Sequence, residues 1–138
     1  MRPTALAVLL APLAACVALP PVPPPESPSV CAGLHGDPGI TARLYFGRTR
    51  TDTAAWQKFL AENVTPRFPA GFSVFDGHGQ WQQRSTGRII QEPSTVIEVA
   101  APRDPDTIWK FEEIRADYRA KFNQESVGLV ISESCVSF

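Results

Sequence analysis

Between Thr41 and Gly47 the chain alternates. Ala42, Leu44 and Phe46 are apolar on one side, and Arg43 and Tyr45 stand on the other. A period of two marks a half-buried strand. After a polar turn at residues 48–52 the period changes. Trp56, Phe59, Leu60 and Val64 recur at helical spacing, Thr51, Asp52 or Thr53 offers an N-cap, and Pro66 stops the run. The stretch GFSVFDG at residues 71–77 predicts a second strand with GQWQ at its far end. Gly77 and Gly79 read as a bend in it, with Asp76 capping the turn. A turn near Ser85–Gly87 leads into a long third strand interrupted at Pro93. Asp104 or Asp106 caps a second predicted helix, which carries Ile108, Phe111, Ile114 or Arg115, Tyr118 and Phe122 on one stripe. The apolar-rich SVGLVISESCVSF closes the chain as a fourth strand.

Strand–helix–strand–strand–helix–strand is the order of an α+β, ferredoxin-like split βαβ domain, a four-stranded antiparallel sheet with two helices on one face. The other face is left open, and Arg43, Tyr45 and Glu98 are expected on it. A homodimer packed sheet against sheet is permitted by this arrangement and would enclose a pocket.

The first residues do not continue these patterns. In MRPTALAVLLAPLAAC one basic residue, Arg2, precedes the apolar run Ala5–Ala11, as in a secretory signal. The run is too short to span a bilayer, which takes about 20 apolar residues. Its ending, Leu13-Ala14-Ala15-Cys16, resembles the bacterial lipobox, which implies a signal peptide over residues 1–15 and acylation at Cys16. More than one acyl chain on one residue meets the two-signal requirement for stable anchoring. Residues 17–30, VALPPVPPPESPSV, hold six prolines that withhold backbone donors and keep the chain extended. Residues 16–30 therefore read as lipidated Cys and tether, and residues 31–138 as one domain. Val17, in place of Asp after the lipidated Cys, favours the outer membrane by resemblance to enterobacterial sorting.

Composition then removes several function classes. Thirteen basic residues against 14 acidic give no basic face, so nucleic acid is not an expected partner. Three cysteines are an odd number. With Cys16 carrying lipid, Cys31 and Cys135 remain at the two ends of the body, and an oxidising envelope favours their pairing. Two separately buried thiols are the alternative.

The pieces RLYFG, W..FL, TPRFP.GF.V.D..GQW, E.S, IR..Y...F.QESV and CVSF occur in order between Arg43 and Phe138. Together they resemble the bacterial family catalogued as domain of unknown function 3574, small secreted proteins that are often lipoproteins. The resemblance implies no activity. Gly77 and His78 follow Asp76 where it implies a small residue such as Ala, so it lends His78 no role.

The candidate chemistry is sparse. Asp76 and His78 could act as an acid–base pair or bind a metal, but a metal needs three or four convergent ligands, and the only other histidine is His35. No metal and no cofactor are expected. No Gly-x-Ser-x-Gly elbow, triad or phosphate loop is present. Arg67, between Pro66 and Pro69 and beside Phe68, could receive a carboxylate or phosphate through its planar fork. The competing reading pairs it with an internal acid such as Asp76 or Glu92. Trp81 beside Gln80 and Gln82 could stack on a sugar, although a lone Trp on a strand is more often core.

The candidate ligand-binding residues are thus Arg43, Tyr45, Arg67, Trp81, Glu98 and His78. The expected function is a membrane-anchored envelope lipoprotein on the periplasmic side, a non-enzymatic binding or assembly module whose partner is an envelope protein or a small ligand. The alternative is a small-molecule-processing enzyme or ligand-binding dimeric α/β-barrel with its pocket on the open sheet face.

Overall fold

The computed structural model describes residues 30–137. Cys16 and the proline-rich tether lie outside the described residues. A short 3-10 turn at Val30–Gly33 is followed by β1 (Asp37–Gly47), α1 (Thr53–Phe59), β2 (Ser73–Gln82), β3 (Ile89–Pro102), α2 (Pro105–Phe122) and β4 (Gly128–Val136). The sheet order is β2-β3-β1-β4 with every pair antiparallel. This is the ferredoxin-like arrangement that the element order predicts.

Strand β1 starts at Asp37, four residues before the alternation predicts, because it is central. Asp37 pairs with Val136 and Gly39 with Pro102, so both neighbours extend it. The helical run over 53–64 forms as expected, but its second half, Leu60–Val64, widens to π geometry, with Thr65 N–H donating to the Leu60 carbonyl. Asp52 accepts from the Ala55 N–H and caps α1. Asp104 accepts from both the backbone N–H and the hydroxyl of Thr107 and caps α2. The bond from the Thr107 backbone is the main reason that the Asp104 carboxyl sits below its ordinary pKa. At the other end of α2, Asn123 takes the left-handed conformation with φ 50°, a C-cap role that Asn tolerates.

Three details depart from the sequence reading. Register runs without a break from Ser73↔Glu98 to Gln82↔Ile89, so Gly77 and Gly79 do not bend β2. Strand β3 also runs through Pro93 uninterrupted. Pro93 lies opposite Arg48, whose N–H reaches its carbonyl at 2.8 Å, and its missing donor falls where β1 is already leaving the sheet. On α2 the inner stripe is Thr107, Phe111, Ile114, Tyr118 and Phe122; Ile108 stays exposed. The cap places Thr107 inward, which turns its neighbour out.

The core lies between the sheet and the helices. Ile40, Ala42, Leu44 and Phe46 of β1 and Ile97, Val99 and Ala101 of β3 meet Trp56, Phe59, Phe111, Ile114 and Tyr118. Five rings interlock at one end, with Phe46 edge-on to Tyr118 at 4.8 Å and to Trp56 at 5.2 Å. The Tyr118 hydroxyl is buried there, accepts from Thr51 and donates to the Gly47 carbonyl at 2.7 Å. Burial raises its pKa above the ordinary tyrosine value. A disulfide joins Cys31 to Cys135, tying the entry of the domain to the end of β4. It sits so close to Gly36 that a Cβ there would lie 2.7 Å from the Cys135 sulfur. Only glycine fits.

Candidate functional site

Alternation sends Arg43 and Tyr45 of β1 and Ser94, Val96 and Glu98 of β3 to the face without helices. Phe75 and Trp81 of β2 share that face, since Ser73 pairs with Glu98 in the same register. At the end where β1 leaves the sheet, a cleft of about 520 Å³ opens over this face. Tyr45, Trp81, Glu92 and Ser94 line it from the strands, Arg84 from the β2–β3 turn, and Glu125 from the α2–β4 connection.

The Glu92 carboxylate is the best-held group in the cleft. One oxygen accepts from the Trp81 indole N–H at 2.8 Å, and the other from the Thr49 hydroxyl at 2.6 Å. It lies over the bare backbone of Gly47, where an added Cβ would approach both carboxylate oxygens to 2.7 Å. Any side chain at 47 would push Glu92 away. The cleft is therefore walled by two aromatic rings, with an oriented carboxylate at its base and serine and amide groups around it. A planar or sugar ring can stack there while its hydroxyls or amines donate to fixed oxygens.

The six residues singled out in the sequence do not form one site. Tyr45 and Trp81 line the cleft. Arg43 and Glu98 are directly cross-strand and pair with each other on the same face, outside the cleft. Trp81 is not a core residue; parity of register puts it on the open face, where its indole bonds Glu92. His78 has the opposite parity and lines a separate cleft on the helix side. Arg67 is remote from both.

Arg67 is engaged by its own fold. Its guanidinium donates to Glu113 at 3.1 Å, to Asp117 at 3.0 Å and to the Asn63 carbonyl at 2.7 Å. The partners are acids of α2, not Asp76 or Glu92, because the segment after α1 packs along α2 and faces away from β2. Arg67→Met is expected to cost about 1.5–3 kcal/mol, the usual range for hydrogen bonds to charged groups. Urea denaturation measures this, and an unchanged midpoint would show that the clamp contributes nothing.

Glu92 is the residue that sequence reasoning passes over. It appears there only as a partner for Arg67 and within the fragment E.S. The available signal was parity: Glu92 and Ser94 alternate with the buried Thr95 and Ile97, so they share the open face with Tyr45. Four of the pieces that carry the family resemblance, RLYFG, GQW, E.S and QES, supply most of the cleft lining. Among the described residues, no three His, Cys, Asp or Glu side chains are grouped to hold a metal ion.

Residues 41–138 match the family model described as Protein of unknown function (DUF3574). The chain belongs to the DUF3574 family. No curated protein matches it. Among solved structures, this DUF3574 protein is similar to a phage SAM lyase in complex with S-methyl-5'-thioadenosine, with TM-score 0.57 and 18% identity over 72% of this chain and 90% of that one. The phage SAM lyase in the apo state gives TM-score 0.54 and 22% identity over 70% and 81% of the two chains. The B. subtilis GlnK–ATP complex gives 0.50 and 11% over 70% and 82%. At these identities the likeness is one of fold.

Proposed function

We propose that this DUF3574 protein is a lipid-anchored module of the bacterial cell envelope that binds a small ring-bearing, hydroxyl-rich ligand on its open sheet face. The anchor rests on Leu13-Ala14-Ala15-Cys16 and the proline-rich spacer after it. The Cys31–Cys135 disulfide is in keeping with an oxidising compartment.

The observation that carries the binding role is the Glu92 carboxylate, held by Trp81 and Thr49 above Gly47 in the aromatic-walled cleft. Both oxygens already accept a fixed hydrogen bond. That suits a group that orients a ligand by its remaining lone pairs more than one that shuttles a proton. The ligand class is a sugar or nucleoside, neutral or weakly cationic, since Glu92 and Glu125 outnumber Arg84 in the lining. Two fold relatives are complexes with adenosine-containing molecules, S-methyl-5'-thioadenosine and ATP, which makes nucleosides rational probes.

The test is calorimetric titration of the purified protein with N-acetylglucosamine, adenosine and S-methyl-5'-thioadenosine. At least one is expected to bind, with Glu92→Gln weakening it ten-fold or more, about 1.4 kcal/mol. Equal affinity in the variant, or binding by none of the three, would reject the site. Radiolabelled palmitate incorporation tests the anchor separately, and label retained in Cys16→Ser would reject it.

A further inference from the structure

A second cleft, of about 640 Å³, lies on the helix side between the edge of β2 and the start of α1. Its lining includes Arg48, Trp56, Asp76, His78 and the fully buried Thr95. The helices do not cover this end of β2, so Asp76 and His78, both turned to this side by strand parity, stay exposed.

Arg48 is the unusual member. Eight ion pairs are formed among the described residues, and Arg48 takes part in none. Its guanidinium lies over the Trp56 ring at 4.6 Å. One terminal nitrogen donates to the Thr95 hydroxyl at 3.0 Å. The other reaches the Thr51 and Asp52 carbonyls only at 3.4 and 3.5 Å, the long limit for a hydrogen bond. Its Nε is buried without a partner. All of these acceptors are neutral, so a half-buried positive charge is left without a counter-charge in contact.

An anion is held one hydroxyl away. The Thr95 hydroxyl donates a hydrogen bond to Asp76 at 2.8 Å while accepting one from Arg48. The buried threonine thus fixes a cation and an anion side by side on one wall and keeps them from closing on each other. A simple anion entering the cleft meets Asp76, and a simple cation meets Arg48. A molecule bearing both charges on neighbouring atoms satisfies both.

We propose that this cleft binds a small zwitterion of the α-amino acid class, its carboxylate on Arg48 and its ammonium on Asp76, with Trp56 behind the guanidinium. The site is independent of the Glu92 cleft. Calorimetry on the purified protein would use free L-alanine, L-phenylalanine, L-glutamate and L-lysine as probes, together with the N-acetyl and amide forms of whichever binds most tightly. One free amino acid is expected to bind, and each derivative, lacking one charge, at least ten-fold more weakly. Asp76→Asn, at an exposed position that leaves the core intact, is expected to reproduce that ten-fold loss. Binding by none of the four overturns the assignment, as does equal binding of the derivatives or full affinity in Asp76→Asn.

Discussion

Replacing Phe59 with alanine is expected to lower stability by about 3–5 kcal/mol, the range for emptying an aromatic site in a packed core. Phe59 is fully buried and touches four other rings: Tyr118 at 5.2 Å, Phe122 at 5.8 Å, Trp56 at 6.1 Å and Phe46 at 6.3 Å between centroids. Those rings come from β1, α1 and α2, so no single element can move to fill the gap. In a domain of this size each kcal/mol shifts the melting temperature by about 4–8 °C, which puts the expected fall above about 12 °C. Thermal unfolding followed by circular dichroism measures it. A loss under about 1 kcal/mol would mean that the cluster relaxes around the cavity. Phe59→Leu, which restores most of the volume, should recover much of the stability.

The second large effect concerns Cys31 and Cys135. Their bond closes a loop with a sequence separation of 104 residues, nearly the whole described domain. In the chain-entropy account, a loop of about 100 residues yields up to ~4.7 kcal/mol through restriction of the unfolded chain. The double variant Cys31→Ser, Cys135→Ser is expected to lose about 3–4 kcal/mol, and replacing both leaves no stray thiol. Reductant should bring the wild type down to the variant's melting temperature and leave the variant unmoved. A wild type indifferent to reductant would contradict the expectation. The bond also fastens the entry of the domain at Cys31 to the last strand.

Much of this architecture was legible before any coordinates. The alternation from Thr41 to Gly47, the caps Asp52 and Asp104 and the stop at Pro66 are local rules, satisfied by residues within a few positions of one another. The pairing of Cys31 and Cys135 was legible for a different reason, through the parity of a three-cysteine chain. Where local rules failed, a distant partner had intervened. Pro93 looked like a break, but Arg48 still bonds its carbonyl, and β1 ends beside it, so one missing donor does not interrupt β3. Ile108 fits the helical stripe on spacing alone, yet the cap at Asp104 turns Thr107 inward in its place.

The candidate sites depend on what sequence does not encode locally. Trp81 reads more readily as core until its register against β3 is known, and a slip of one residue would turn it to the other face. Glu92 becomes a site residue only when β1 brings Thr49 and Gly47 beneath it, 43 residues away in the case of Thr49. Arg67 could serve a ligand or an internal acid until α2, 46 and 50 residues on, supplied Glu113 and Asp117. The amino-acid sequence by itself determined the elements, their order and the family, because periodicity, caps and turn residues act over a few positions. Only the tertiary structure decided which charges are spent and which remain open, because that depends on residues tens of positions apart meeting across a sheet.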